Sequence, residues 1–585
     1  MKHGLAVKIT TTEHTMPKKL RSNFPYGSYL WAVRAAQWRA LGIDESELEK
    51  PKIAIVNSSS NLAICFSHLD GIAAELKQSI RDAGALPFEI RTAAPSDFIT
   101  GAGAGGAYML AARDLITNDI EVAIEGAQLD GMICLTSCDK TVPGQLMAAA
   151  RLNIPTLMVV CGYQPSGEYN GQHVDIEDVF IGSMHALTGK LPVEQLVGMA
   201  RNAIKGPGVC SGMGTANSMH LVCEALGMAL PGSAPIAANS SRMFDFVRQA
   251  GQRIVAMVEE DLKPRDILGP GAFANAVSVV LAAGGSVNCI KHMQAVAAEG
   301  GIDVDVYGLF RELGNRIPVL VGVRPMGEHS IEQMEAAGGG RALLKRLEPL
   351  LHGEALTVTG TTLADNLRDV TIADEQVIRP LQRPFATQPA IVMLRGNIAP
   401  QAGIVKYGID PNKMRRFSGP AICFERSAEA IEALQDGRIR PGHVVVMRGA
   451  GVRGGPAMGG GASRVVFAID GAGLGDKVAM LTDGHLSGLV CKGLVVAEVA
   501  PEAAIGGPLA LVENGDIIDI DLDANRLEAR LEPAELQARA ERWQAQPAQF
   551  GGGWLDIYRG AVKGMEHGAV LIKPLDISDE QEAAR

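Results

Sequence analysis

Apolar residues along this chain follow two different rhythms. From about residue 50 to 330, short continuous apolar runs alternate with segments of helical period. Lys52–Asn57 (KIAIVN) reads as a buried strand. Gly71–Ala83 reads as a helix with Ile72, Leu76 and Ile80 on one face. Gly131–Thr136 (GMICLT) is a second buried strand, and Pro143 then opens a helix rich in Leu, Met and Ala. Ile154–Cys161 (IPTLMVVC) is a third. Strands alternating with helices predict a parallel sheet covered by helices on both faces. Ligands of such sheets sit beyond the carboxyl ends of the strands.

From about residue 385 the rhythm changes. Ala390–Leu394, His443–Met447, Val478–Leu481, Asp516–Asp521 and Arg526–Leu531 are short strand-like runs separated by Gly and Pro. They predict a mostly β, barrel-like region. Pro380–Pro389 (PLQRPFATQP) carries three prolines and no helical period, so it reads as a linker. The expected organisation is an α/β domain over 1–379, a linker over 380–389 and a β-rich domain over 390–585. No internal repeat is visible.

Composition narrows the class. Of the 585 residues, 47% are hydrophobic and 20% charged, as in a soluble globular protein. A net charge of −11 with no Lys/Arg cluster argues against a nucleic-acid partner, which needs a basic surface. No apolar run is long enough to predict a membrane span. Met1 to Lys19 is polar and lacks the apolar core of a secretory signal. The expected location is therefore the cytoplasm. The 68 glycines exceed the roughly 41 expected at average usage of ~7%, and they gather at the ends of apolar segments.

Nine cysteines in a chain of this length do not form a disulfide scaffold. Cys134, Cys161, Cys223, Cys289 and Cys423 have apolar neighbours and read as small core residues, while Cys491 is ambiguous. The other three have polar surroundings. Cys138-Asp139-Lys140 directly follows the strand Gly131–Thr136, which places a thiol, a carboxylate and an amine together at a sheet edge. Cys65 lies in Ile64-Cys65-Phe66-Ser67-His68 after the first strand, and Cys210 opens a Gly-rich turn entering a helix. These spacings are far too wide for a zinc knuckle. Three thiolates gathered by the fold suit an iron–sulfur cluster with one open coordination position.

The ordered motifs resemble the dihydroxy-acid dehydratase / phosphogluconate dehydratase family. Cys138–Gly144 (CDKTVPG) resembles its CDK-x-x-PG motif and Cys210–Met219 (CSGMGTANSM) its C-x-GM-x-TAN-x-M motif. Lys263–Ile267 (KPRDI), Gly284–Asn288 (GGSVN), Leu356–Leu363 (LTVTGTTL), Leu394–Pro400 (LRGNIAP) and Thr482–Gly488 (TDGHLSG) are further similar stretches. The resemblance implies a 2Fe–2S cluster on Cys65, Cys138 and Cys210 beside a Mg²⁺ site. It implies Asp97 and Asp139 as metal ligands, Lys140 as a carbamylated ligand with a catalytic part, and Ser487 as the base. It also implies a small hydroxy-acid substrate and a homodimer or homotetramer. The implied chemistry is loss of water from a hydroxy acid. Metal on the substrate carboxylate would stabilise the enediolate formed at C2, and the enol product would become a 2-keto acid.

Two positions depart from the family pattern. Phe66 stands where a polar residue usually follows the first cysteine, which is expected to reshape the pocket. Gly455–Gly461 (GPAMGGG) replaces G-P-G-M-x-E, so Gly460 stands at the expected metal-binding glutamate. The favoured expectation is a sugar-acid dehydratase or one acting on a related 2,3-dihydroxy acid. The alternatives are dihydroxy-acid dehydratase of branched-chain amino-acid synthesis, distinguished by an apolar pocket wall, and a non-catalytic cluster-bearing paralogue. Gly101, Gly103 and Gly106 also satisfy G-x-G-x-x-G, but a loop rather than a strand precedes them, so a tight turn near the metal site is expected. His68 is either a group behind the cluster or a helix-start residue. His485 either tunes Ser487 or faces solvent. Met213 to Met228 is expected in the core.

Overall fold

The computed structural model describes residues 20–455, 460–548 and 550–571. Residues 1–19, read above for a leader, and 456–459 of the glycine-rich departure lie outside the described residues.

Four parallel strands form the first sheet: β1 Lys52–Asn57, β2 Leu86–Arg91, β3 Gly131–Thr136 and β4 Thr156–Val160, in the order β2-β1-β3-β4. All residues of β1, β3 and β4 are buried, which is why each reads as an unbroken apolar run. The edge strand β2 (LPFEIR) is half-buried and carries charge, so it gave no such run. The helix Leu69–Asp82 buries Leu69, Ile72, Leu76 and Ile80, with the apolar stripe where the sequence placed it. Beyond β4 lie a short hairpin, β5 Gly167–Tyr169 and β6 Gln172–Val174, and a set of largely buried helices. Thr215–Ala225 is buried at every position, and Met213, Met219 and Met228 lie in the core.

The second architecture is a closed eight-stranded barrel. Its strands are β7 Ile391–Gly396, β8 Ala399–Lys406, β9 Arg416–Phe424, β10 Val444–Met447, β11 Ala479–Thr482, β12 Leu494–Ala500, β13 Ile517–Asp521 and β14 Arg526–Ala529. They close in the order β10-β11-β12-β8-β7-β14-β13-β9. Strands β9 to β12 pair in parallel, and helices Ser427–Gln435 and Gly460–Gly471 make two of the crossovers. The closed barrel bears out the expected β-rich, barrel-like region, and these helices add to it. Strands β8, β9 and β12 were also missed by the sequence reading. Val444, Val446, Leu481 and Val496 fill the barrel, while Val445, Met447, Met480 and Val495 pack outward on a second core that includes Val465 and Phe467. Both faces are thus apolar, and the sequence shows no alternation there.

Polar clamps join the helices around the first sheet to the barrel and the segments that flank it. Arg113 donates to the carbonyls of Gly568 (2.9 Å) and Ala569 (2.6 Å). The fully buried Lys291 pairs with Glu498 at 2.6 Å. His185 on the helix Ile176–Leu187 meets Asp470 at 2.8 Å, and Lys190 lies 3.3 Å from the same oxygen. Among the described residues no helix is long and apolar enough to cross a membrane.

The hydrogen bond to His185, aided by Lys492 and Lys190, holds the Asp470 carboxyl down at about 2, against an ordinary value of 3.8. A depressed carboxylate stabilises the fold above its unfolded value, and that stabilisation is lost as pH falls from about 4 toward 2. Asp470→Asn is expected to lower stability by ~2 kcal/mol at pH 7 and to flatten the acid limb of the stability profile. Denaturant unfolding midpoints at pH 7 and pH 3 check this. Equal midpoints for variant and parent at pH 7 would show that the clamp contributes nothing.

Candidate active site

Parallel strands point their carboxyl ends, and the loops that follow, in one direction. From β1 the chain turns through 58–64 to Cys65, and from β3 it enters Ser137-Cys138-Asp139-Lys140 before the helix Thr141–Leu152. Cys210 precedes the helix Thr215–Ala225, and Asp97 opens the short helix Asp97–Thr100. Ser487 follows β11 of the barrel. These separate segments meet at one cavity of about 630 Å³, lined by Cys65, Cys138, Cys210, Asp97, Asp139 and Ser487. Lys140 lies behind this wall, fully buried, with Nζ 2.8 and 3.0 Å from the two Asp97 oxygens and 3.6 Å from Asp139.

The donor set matches what each kind of metal centre needs. Cys138 and Cys65 lie within hydrogen-bonding reach, and this contact, with burial, pushes the Cys138 thiol well above its usual value. Burial, followed by Glu177 and Asp139, does the same for Cys210. The three sulfurs do not all fall within 4.8 Å of one another. Three sulfurs on one cavity with this spread suit a cluster, whose irons take their ligands separately, better than a single ion.

The acidic side is equally distinctive. The carboxyl groups of Asp97 and Asp139 share a hydrogen bond, and burial, then Asp97, drives the proton affinity of Asp139 up. Thr215 is a further hydrogen-bond partner of Asp139. Two buried carboxylates pressed together beside one ammonium are short of positive charge, the condition that a hard divalent cation with oxygen ligands relieves. A second cluster, His173, Asp175 and Asp178, already holds its cation: Arg324 lies 2.8 Å from His173 Nδ1 and 2.9 Å from Asp178.

Ser487 is held from two sides. Its N–H donates to Ser463 Oγ at 2.7 Å, and its own Oγ accepts the Leu489 N–H at 3.3 Å. The buried Lys406 donates to the Gly488 carbonyl at 2.8 Å, which sets a cation beside the serine.

Several expectations change here. Phe66 is fully buried in the apolar core and does not line the cavity, so it fills space behind Cys65 instead of reshaping the pocket. His68 is a helix-start residue whose Nε2 meets the Cys161 carbonyl at 2.7 Å. His485 does not face solvent: it is buried, with Nδ1 3.6 Å from Glu498. Cys423 is half-buried, less enclosed than its neighbours suggested, as is Cys491. Gly101 and Gly106 belong to turns and a 3₁₀ segment, not to a strand-to-helix phosphate loop, and Gly101 closes against the Asp97 carbonyl beside the acidic pair. Sequence reasoning did not single out Thr215, Asn288, Lys406 or Glu177. The first two sit inside the motif stretches CSGMGTANSM and GGSVN, where their signal was available.

Comparison with known proteins bears on this geometry. The family model for the dihydroxy-acid/6-phosphogluconate dehydratase N-terminal domain matches residues 50–366, and that for the C-terminal domain matches 376–569. A dihydroxy-acid dehydratase of Sulfurisphaera tokodaii is 37% identical over 95% of this chain and 99% of its own length. One from Moorella thermoacetica is 38% identical, covering 91% of this chain and 96% of its own. Another from Aquifex aeolicus is 38% identical, covering 92% and 97%. The chain is a hydro-lyase and belongs to the dihydroxy-acid/6-phosphogluconate dehydratase family.

Proposed function

We propose that this protein removes water from a small 2,3-dihydroxy carboxylic acid with a short apolar tail, giving the 2-keto acid, as dihydroxy-acid dehydratase does in branched-chain amino-acid synthesis. The observation that carries this reading is the cavity wall. Phe98, Ile99, Ile176, Phe180, Met184 and Leu489 line it together with the cysteines and acids. A branched alkyl tail is favoured against these apolar groups, which offer no hydrogen bond to the further hydroxyls of a sugar acid. The names of the relatives favour the same substrate class over the sugar-acid expectation. The reading includes a homodimer at least, supported by Tyr29, Leu30 and Val33 left exposed on the helix Tyr29–Ala40.

In this reading Cys65, Cys138 and Cys210 would hold the 2Fe–2S cluster, and Asp97, Asp139 and Lys140 would hold Mg²⁺, with Lys140 converted from the ammonium that pairs with Asp97 and Asp139 to a carbamate. Both groups, when bound, supply Lewis acidity to the leaving 3-hydroxyl and the substrate carboxylate. The protein's own part starts at Ser487, whose Oγ takes the C2 proton. A serine hydroxyl is a weak base, and the Leu489 N–H and the nearby Lys406 ammonium favour its ionised form. The C3–O bond then breaks, the hydroxyl leaves as water with one proton, and the enol becomes the keto acid. Phe98 and Phe180, in edge contact at 5.6 Å between centroids, keep that side of the cavity dry.

Anaerobic assays with Mg²⁺ on 2,3-dihydroxy-3-methyl acids and on aldonic acids test the substrate. Keto acid from the branched acids is expected, and formation from aldonic acids alone would return the reading to sugar acids. No product from either panel at full cluster loading would mark a cluster-bearing binding protein.

Cys138→Ser is expected to lose the visible cluster absorption and turnover together, and full turnover without iron would remove the cluster from the reaction. Ser487→Ala is expected to keep the cluster spectrum while kcat falls by about a hundredfold or more. Unchanged kcat would take Ser487 out of the proton transfer.

A further inference from the structure

One carboxyl group lining the cavity has no assigned task. Glu177 lies in the first turn of the helix Ile176–Leu187, and only 4% of the residue is exposed. Its carboxyl makes no hydrogen bond or ion pair among the described residues. The turn that carries it is fixed by other groups. Asp175 accepts from the N–H groups of Glu177 and Asp178, and Asp178 pairs with Arg324 at 2.9 Å. Burial, followed by Asp175 and Asp178, holds the proton affinity of Glu177 well above the ordinary carboxyl value, against the opposing pull of Lys406. A polar group enclosed without a protein partner is costly unless a ligand or water completes it.

The neighbouring loops are shaped to admit this side chain. A Cβ at position 212 would stand 2.0 Å from Glu177 Oε2, and one at position 214 would stand 3.2 Å from Oε1. The two glycines after Cys210 thus leave the space that the carboxyl fills. The Cβ at 214 would also stand 4.0 Å from Leu489 Cδ2, and one at Gly488 would stand 3.1 Å from the Thr215 nitrogen. Segment 212–215 therefore touches both Glu177 and the loop that carries Ser487.

The helix itself shows which part of a substrate the carboxyl meets. Phe180 and Met184 line the cavity from the same helix, and positions 177, 180 and 184 share one of its faces. In a 2,3-dihydroxy acid with a branched tail, C3 bears both the alkyl groups and the departing hydroxyl. Seating the tail among these apolar side chains brings the 3-hydroxyl to Glu177, while Ser487 acts at C2. A carboxyl bonds a hydroxyl in either protonation state, accepting when ionised and donating as well when protonated.

We infer that Glu177 holds the substrate's 3-hydroxyl by a hydrogen bond, the contact that tells a 2,3-dihydroxy acid from the same acid without its leaving group. This rests on the substrate reading given above. Glu177 is then the polar exception on an otherwise apolar helix face, and its task is recognition.

The test compares three acids that cannot form a 2-keto acid by loss of water: 3-methylbutanoate, 2-hydroxy-3-methylbutanoate and 3-hydroxy-3-methylbutanoate. Each is titrated calorimetrically into anaerobic, cluster-bearing protein with Mg²⁺. The parent is expected to bind the 3-hydroxy acid about tenfold or more tighter than 3-methylbutanoate. Glu177→Met is expected to cut that gain to about threefold or less, with the gain from the 2-hydroxyl and the cluster's visible spectrum unchanged. A merely structural role would move all three affinities together. If Glu177→Met does not accumulate as folded protein, Glu177→Asp, whose shorter side chain withdraws the carboxyl, carries the comparison, and a parent-like gain in it overturns the inference. A parent-like gain in Glu177→Met, or loss of the 2-hydroxyl gain in its place, overturns the inference and leaves the substrate reading standing. Failure of the parent to bind any of the three acids overturns both.

Discussion

A buried ammonium between two carboxylates organises the centre of this protein. Lys140 is fully enclosed at the end of β3, and its charge is matched by Asp97 from one loop and Asp139 from its own. Removing one partner of such a group strands a charge in low dielectric, at a cost of about 3–5 kcal/mol. The loop after β3 and the turn at Asp97 are therefore tied together, and the cysteine at 138 is placed with them. The tie extends outward through Thr215, Asn288 (3.0 Å), Lys291 (2.7 Å) and Glu498 (2.6 Å), so a continuous polar chain links the acidic pair to strand β12 of the barrel. The geometry of the site and the docking of the two architectures depend on the same charges.

The cavity is chemically divided by what surrounds it. Its floor gathers acids and thiols whose proton affinities burial raises. Such groups are poor nucleophiles as they stand and are suited to coordination, because a cation displaces their protons and reverses the cost of burial. Phe98, Ile99, Phe180 and Leu489 also line the cavity, and these apolar groups contribute shape and dryness instead of charge.

The barrel adds the remaining ingredient. A serine on the loop after a parallel strand is held by its own backbone and by Ser463 from a crossover helix, with Lys406 of β8 beneath it. The serine proposed as base thus sits on a loop anchored by the barrel. Both the sheet and the parallel part of the barrel present their carboxyl ends to the same space, which is how loops distant in sequence reach one cavity.

The sequence alone determined the local elements whose burial is complete. β1 and β3 read without error because both faces are apolar, and the helix after β1 read from its stripe. The three cysteines stood out by their polar neighbours, and the segments around Cys138, Cys210 and Ser487 were legible through their resemblance to family motifs. Other features had no local signature. The half-polar edge strand β2, the crossover helices of the barrel and its closure depend on partners remote in the chain. Phe66 shows the same limit: adjacency to Cys65 suggested a pocket residue, but the backbone turns it into the core. Composition and pattern decide which segments bury themselves. Only packing decides which charges are left facing one another, because that depends on distances between residues the chain keeps far apart.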